Sequence, residues 1–514
     1  MPSTSVDTIV PLTNSQPIAL ADVAHFGIAD FRTLVYNHLA RGNQLSALFG
    51  VPQNSGKVRL YAVLTKTATG EISVFTADAG GRYEALTPRV PQAHWFEREI
   101  AEQWGVVPAG HPWLKPLRFH RSYRDGRDAW GRSPDTEILP CVQPDGTEYF
   151  RVEGPEIHEV AVGPVHAGVI EPGHFRFQCH GEHVFTLEIE LGFQHRGIER
   201  RLIGGPGKRT LHYMETLSGD STIAHTTAYC QIIEGLAGME APLRSQALRV
   251  VALELERLAN HVGDLGALAG DVGFLPTAAY CGRLRGDFLN ATALLCGNRF
   301  GRGLVRPGGV RWNVDDAMRE DVSRRVEAAR KDVSGAVNLL WKTNSVMARF
   351  EDTGQVSAEA AVALGLVGPA ARACGVDVDV RRDFPAGFFR FAQLPVSTWH
   401  TGDAFARAYV RWLEIQRSAK FVKEQMRVLP ESRIGKAPGP LQANALVVSL
   451  VEGWRGAVCH VALTDAEGRF AHYKVVDPSF HNWIGLAMSL RDQQISDFPL
   501  CNKSFNLSYC GHDL

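Results

Sequence analysis

The chain lacks the paired cysteines that mark the common metal-binding motifs. Its nine cysteines, at 141, 179, 230, 281, 296, 374, 459, 501 and 510, include no CxxC pair. That excludes a self-contained ferredoxin-type cluster motif and a zinc ribbon. An odd count without a secretory signal points to reduced thiols in a cytosolic setting. No run of about 18 apolar residues is present, so any membrane contact is expected to be peripheral. The nearest apolar run, residues 360–371, is broken by Gly and Pro. Charge of one sign is also missing: 54 Lys and Arg face 55 Asp and Glu, a net charge of −1. This argues against nucleic acid held by overall basic charge. The first eleven residues show no basic-then-apolar signal pattern. There is no GxGxxG after a strand, no GxxxxGK[ST], no HExxH and no GxSxG. Gly204-Gly-Pro-Gly207-Lys208 is rich in glycine but lacks the Walker spacing.

What is present is an ordinary globular balance, 45% apolar and 21% charged, over 514 residues. At roughly 150 residues per domain this length implies two to four domains. After a polar leader (1–20), residues 21–125 read as a small α/β domain. Short β-type runs at 58–65 and 71–75 flank a turn, and a helix is expected over 94–104 with Trp95, Ile100, Ala101 and Trp104 on one face. Residues 115–132 carry six Lys or Arg against two Asp. They read as a solvated linker, or as a docking strip for an acidic partner or lipid headgroups. A linker is assigned to 126–154. From 155 long helices take over. Leu248, Val251, Leu255, Leu258, Val262 and Leu265 recur at helical spacing, as do Val322, Val326, Ala329, Val333, Val337 and Leu340. Phe405, Tyr409, Trp412, Ile415 and Phe421 suggest a third helix. Charges such as Glu256, Arg257, Arg324 and Arg325 fall mostly off these stripes. Strands are expected at 445–451, 457–463 and 470–475, the last two joined by a hairpin loop at 465–468. The fold class is α+β: a small α/β domain, then a mainly helical domain (155–514) with peripheral strands. His180 and His183, around Gly181-Glu182, read as a surface pair in a turn rather than as metal ligands.

Specific strings carry a resemblance. Trp95-Phe-Glu-Arg-Glu99, Gly110-His-Pro112 and Leu114-Lys-Pro116-Leu117 resemble the C subunit of bacterial complex I. Gly163-Pro-Val-His166, Glu171-Pro-Gly-His-Phe175 and His195-Arg-Gly-Ile-Glu199 resemble the large subunit of Group 4 membrane-bound nickel–iron hydrogenases, to which the complex I D subunit is homologous. Glu256-Arg-Leu258 with Asn260-His261, Arg306-Pro-Gly-Gly-Val310 and Gly368-Pro-Ala-Ala-Arg372 continue the match. Gly375-Val-Asp377, Glu452-Gly-Trp-Arg-Gly456 and Asp477-Pro-Ser-Phe480 complete it in the family's order. The resemblance implies a fused C/D-type subunit whose second domain is similar to a hydrogenase large subunit.

The departures bear on function. In those hydrogenases two CxxC pairs hold nickel and iron, because soft thiolates suit these metals. The first pair lies in CGxCxxxH. Here that stretch reads Ser218-Gly-Asp-Ser221-Thr-Ile-Ala-His225, with both cysteines replaced by serine. The second, DPCxxC, aligns with Asn506-Leu-Ser508-Tyr-Cys-Gly511, and both ligand positions are again lost. Ser218, Ser221, Ser508 and Gly511 are therefore degenerate ligand positions, and no metal is expected on this chain. With the chain ending at Leu514, no tail for a maturation protease is expected. The family's quinone-holding histidine and tyrosine align with Ile170 and Gly219. Neither is matched, although His174 lies close by.

The resemblance therefore singles out Glu199, Asp220, His225 and Arg455 as cavity or proton-handling residues. His166, Ile170, His174, His195 and Gly219 are candidates for a quinone-like cavity. The structural alternative for the ionisable group is a set of buried ion pairs kept because burial demands partners. Asp220 is either a proton acceptor in the vacated pocket or a helix cap followed by Ser221; the cap is favoured. The expected role is a subunit of a complex I-like or hydrogenase-like oxidoreductase. It would form an electron-acceptor cavity with a small iron–sulfur subunit and couple it to a membrane arm. Iron–sulfur clusters would reside in that partner and in a ferredoxin-like one, multi-span membrane subunits would complete the assembly, and a quinone is the implied acceptor. The expected location is the cytoplasmic face of the inner membrane. The rival is a catalytically silent scaffold, and convergence of the four residues on an open pocket, or their pairing in a closed core, separates the two.

Overall fold

A computed structural model describes residues 9–133, 149–168 and 170–514. Cys141 and most of the expected linker lie outside the described residues. With 43% helix and 19% strand, the chain is α+β.

The first sheet is an antiparallel meander of Gln44–Pro52, Val58–Lys66 and Glu71–Ala79. Two early segments add to its last strand: Pro11–Leu12 antiparallel and Ala24–Phe26 parallel. Helix Ile28–Ala40 buries Phe31, Leu34 and Val35 against this sheet. Helix His94–Trp104 has the expected bounds. It is buried on nearly every side, so its charged residues Glu97, Arg98, Glu99 and Glu102 are interior groups that need partners.

Residues 115–132 are not a solvated strip throughout. Lys115 is buried and donates to Glu188 at 2.6 Å, and Arg118 is buried against Glu99. Carboxylates brought by distant elements draw these cations inward, a pairing that local composition cannot reveal.

Four long helices, Leu243–Asp271, Leu275–Cys296, Asp316–Trp341 and Ala404–Arg427, pack on one another. The apolar stripes of the first and third are buried as their spacing requires. Asp315 and Asp403 cap the third and fourth, accepting from Met318 N (2.8 Å) and Ala406 N (2.7 Å). Arg257, off the apolar stripe, is nevertheless buried. It sits in the core, donating to Glu254, to Glu414 and to the carbonyls of Glu452 and Gly453. The 243–271 helix is enclosed on several faces, so its off-stripe charges are internal too.

A four-stranded sheet, in the order Phe470–Val476, Gly456–Thr464, Ala445–Gly453 and Pro17–Ala19, separates two apolar cores. Side chains alternate across it. Leu446, Val448 and Leu450 face the core shared with the first sheet, whereas Ala445, Val447 and Val451 face the helices. The three C-terminal strands match expectation to within two residues, but they are central rather than peripheral. Two turns leave this sheet toward one place: Trp454-Arg455 between two strands, and Asp477 at the start of helix Pro478–Ser489.

A third sheet, Ile157–Val162, His174–His180 and His183–Glu190, carries the Gly163–Gly173 loop. His180 and His183 flank its hairpin turn, about half exposed (52% and 46%), each beside a carboxylate, as the surface-pair expectation holds.

Candidate functional site

The two degenerate motifs meet. Ser218 precedes helix Thr222–Leu236, and Ser508 caps the last helix, Tyr509–Asp513, by accepting from Gly511 N at 2.9 Å. Ser218 Oγ donates to Ser508 Oγ at 3.0 Å, and both residues are buried. The two aligned serines therefore meet in space, and Ser218 Oγ also lies 3.3 Å from Asp220 Oδ1. Gly511 supplies no side chain. A Cβ added there would lie 2.7 Å from Asp477 Cγ and 2.9 Å from both carboxylate oxygens. Cys510, next to it, has its thiol pushed up to about 11 by burial and by the Glu171 carboxylate, so it remains protonated at neutral pH. Two neutral hydroxyls bonded to each other, a glycine and a protonated thiol do not fit a nickel–iron centre, which needs charged soft donors. Among the described residues no group of three or more His, Cys, Asp or Glu is arranged to hold a metal ion.

Asp220 faces Arg455. The guanidinium donates to both carboxylate oxygens, at 2.6 and 2.8 Å, while its Nε donates to Asn506 O. Arg455 also stacks over Trp454, 3.9 Å from the ring centroid. Burial opposes its charge, but Asp220 outweighs burial and holds the guanidinium above its ordinary range. The cap expected of Asp220 is not made: helix 222–236 starts at Ser221 with no side-chain cap. Glu256, from the neighbouring long helix, does that work by accepting from Ile223 N (2.7 Å) and Ala224 N (3.3 Å). Arg455 had already claimed both oxygens of Asp220.

His225 is wholly buried and joins a four-member chain. Its Nε2 lies 2.9 Å from Asp477 Oδ2 and its Nδ1 lies 3.0 Å from His460 Nε2, while His460 Nδ1 lies 2.9 Å from Tyr473 Oη. One tautomer set satisfies all three bonds: Tyr473 donates to His460, His460 donates to His225, and His225 donates to Asp477. Burial and the neighbouring imidazole hold His460 well below the ordinary histidine range. Asp477 also caps its own helix, accepting from Ser479 N at 2.8 Å.

Glu199 accepts from Val475 N and from Lys474 Nζ, each at 3.0 Å. Lys474 also bonds both oxygens of Glu99 at 2.6 Å, and Glu99 in turn pairs with Arg118. A buried line of alternating charge thus crosses from the N-terminal domain into the four-stranded sheet. Burial disfavours the Glu99 carboxylate, but Lys474 and Arg118 outweigh it and bring its pKa down to about 2.

Of the five quinone-cavity candidates, the three histidines bond to separate partners. His166 donates to Gly173 O (2.9 Å) and His174 to Gly163 O (3.1 Å), so both pin the loop between their strands. Ile170 is 51% exposed. His195 bonds Asp513 O at 2.7 Å and stacks on His120, ring centroids 4.8 Å apart. A side chain at Gly219 would meet open space. None of these five, nor Glu199, Asp220, His225 or Arg455, lines the large cavity of about 680 Å³.

Sequence reasoning missed Glu99, Glu256, His460 and Tyr473. Each stands far from its partner in the chain, and only the Asp477-Pro string gave any local hint of the His225 partner.

Fold and site together define a large redox-complex subunit whose two serine-bearing loops, distant in the chain, are joined by a hydrogen bond. Residues 22–127 match the family model described as respiratory-chain NADH dehydrogenase, 30 Kd subunit, and residues 271–443 match that of the 49 Kd subunit. Formate hydrogenlyase subunit 5 of Escherichia coli is 28% identical over 91% of this chain and 84% of its own length. Hydrogenase-4 component G of the same organism is 27% identical over 93% and 84%. The C/D subunit of the NADH-quinone oxidoreductase of Bdellovibrio bacteriovorus is 26% identical over 78% and 76%. The chain belongs to the family of fused C/D-type complex I subunits and hydrogenase-like large subunits.

Proposed function

We propose that this chain is the large hydrophilic subunit of a membrane-associated complex I-like or hydrogenase-like oxidoreductase and that it works without a metal centre of its own. It would seat a small iron–sulfur subunit, connect through a ferredoxin-like subunit to the electron donor, and join multi-span membrane subunits at the cytoplasmic face of the inner membrane. Among the described residues no helix is long and apolar enough to cross a membrane, so attachment would run through those partners. The family relationship supports the partner set. The Ser218–Ser508 bond, flanked by the Asp220–Arg455 pair, carries the metal-free reading.

Of the two roles weighed for the former metal pocket, scaffold and acceptor cavity, the geometry favours the scaffold. Glu199 and His225 are each bound to a buried partner, and Asp220, 33% exposed, has both oxygens taken by the buried Arg455. Charges paired in this way fix the mutual position of helix 222–236, the strand ends and the C-terminus. Such pairs add little net stability, but removing one partner strands the other.

The test is to purify the tagged chain with its genomic neighbours. Iron–sulfur and multi-span membrane subunits should co-purify, elemental analysis should find no stoichiometric nickel, and Asp220→Asn should leave acceptor reduction by the assembled complex within about twofold. Nickel near one per chain, hydrogen uptake assignable to this subunit, or loss of electron transfer in an assembled Asp220→Asn complex would overturn the proposal. A monodisperse free monomer from native cells would remove its partner half.

A further inference from the structure

The cavity of about 680 Å³ lies away from the refilled metal pocket, between the first turn of the 243–271 helix, the N-terminal segment around Asn14 and the 384–391 segment. Its size is that of a small-molecule site. Two of its lining groups are buried yet without a protein partner. Gln246 is 5% exposed and Thr227 is 7% exposed; Gln246 Oε1 and Thr227 Oγ1 each have no hydrogen-bond partner. The orientation of the Gln246 amide is fixed, because its Nε2 donates to Ala241 O at 2.6 Å. Oε1 is therefore left as an acceptor, and a buried acceptor without a donor is destabilising unless something fills the role.

Arg249, Arg381, Glu452 and Arg390, all in the lining, are each paired with an opposite charge. Arg249 pairs with Glu234 through two hydrogen bonds, at 3.0 and 2.6 Å, and Arg381 pairs with Asp379 and Glu254. Glu452 is held by Arg372. At the rim, Arg390 clasps Glu240 through both guanidinium nitrogens, at 3.0 and 2.9 Å. An ionic ligand would enter without a counter-charge and lose its hydration. The third feature is aromatic. Phe384, Phe388 and Phe389 are among the lining residues, an aromatic surface suited to a flat apolar body.

We propose that this cavity binds a neutral, planar aromatic small molecule that carries an amide N–H or hydroxyl donor. The donor would meet Gln246 Oε1, Thr227 Oγ1 would bond the polar substituent, and the ring would lie against the phenylalanines. The Arg390–Glu240 clasp at the rim would retain it. The proposal concerns binding alone, so it stands or falls separately from the role of the metal pocket.

The probe is 4-hydroxybenzamide, titrated into the purified complex with saturation-transfer NMR and a thermal-shift readout. Benzoate serves as the ionic comparator, and cyclohexanecarboxamide as the non-aromatic one. Saturable binding of 4-hydroxybenzamide is expected, with no saturable binding of benzoate and weaker binding of cyclohexanecarboxamide. Gln246→Leu should weaken 4-hydroxybenzamide by about tenfold, the size expected for one buried hydrogen bond. Phe389→Leu, which keeps an apolar side chain, should narrow the gap between the aromatic and alicyclic amides and serves if Gln246→Leu fails to fold. No saturable binding, equal binding of benzoate, or affinity unchanged in both variants would overturn the proposal. So would a structure of the complex showing a partner subunit's side chain filling the cavity.

Discussion

Ser218 and Ser508 stand 290 residues apart in the chain and 3.0 Å apart in space. One hydroxyl donates and the other accepts, and Ser508 accepts in addition from Gly511 N. The loop before helix 222–236 and the loop before the last helix are thus brought together, and the contact between them is a hydrogen bond. Asp477 lies against Gly511 and Arg455 against Asp220, so the surroundings are closely packed.

Restoring cysteines should therefore not restore the metal. In a Ser218→Cys, Ser221→Cys, Ser508→Cys, Gly511→Cys variant, the new Cβ at 511 lies 2.7 Å from Asp477 Cγ, a distance at which the backbone or the carboxylate must move. Asp477 is held by His225 and Ser479 N. Gly511→Ala alone should cost about 1–3 kcal/mol by overpacking, read as a lower thermal midpoint. Elemental analysis of the four-cysteine variant, made alongside hydrogenase maturation proteins, should show no stoichiometric nickel. A nickel-loaded variant would mean that the pocket is still shaped for the metal.

The Asp220–Arg455 pair should reveal itself by coupling. Asp220→Asn leaves a buried guanidinium without its counter-charge and should destabilise by about 1–3 kcal/mol, less than a wholly buried pair because Asp220 is partly exposed. Arg455→Gln should cost a similar amount. The double variant should cost clearly less than the two singles combined. Simple additivity in thermal melts would show that the bidentate contact contributes nothing.

Most of the architecture was legible in the chain, and the failures share one cause. The 94–104 helix, the two long apolar stripes and the three C-terminal strands follow from local period, which depends only on residues a few positions apart. Arg118 and Lys115 looked solvent-bound because their partners, Glu99 and Glu188, come from other elements. Asp220 met every local criterion for a helix cap and still went to Arg455, 235 residues on. Motif order singled out Ser218 and Ser508, two residues that the structure brings into contact. Their bond to each other was not legible, because it joins residues 290 positions apart.

Glu99 should tie the N-terminal domain to the central sheet. Glu99→Gln leaves Lys474 and Arg118 buried with one neutral partner between them, and removing one member of such a group costs about 3–5 kcal/mol. Its folded pKa of about 2 lies below the ordinary 4.5. The stabilisation is therefore complete above about 4.5 and is lost as pH falls toward 2. Hydrogen exchange of the 94–104 and 470–476 segments should rise together in Glu99→Gln. Exchange confined to one of them would disprove the tie.

Glu256 should make stability fall across the neutral range. Burial lifts its carboxyl to about 8, the Asp220 charge adds to the lift, and the Ile223 and Ala224 amides and Arg257 resist it. Arg299 lines the same small pocket. The folded value lies above the ordinary 4.5, so between about 4.5 and 8 the folded chain holds a proton that the unfolded chain has released. Stability therefore falls as pH rises through that window and levels off above it. Glu256→Gln keeps a neutral oxygen acceptor for the helix amides and cannot ionise. Its urea midpoint should match the parent's near pH 5 and exceed it near pH 8.5. An equal fall in both proteins would assign the slope to another group and leave Glu256 with a capping role alone.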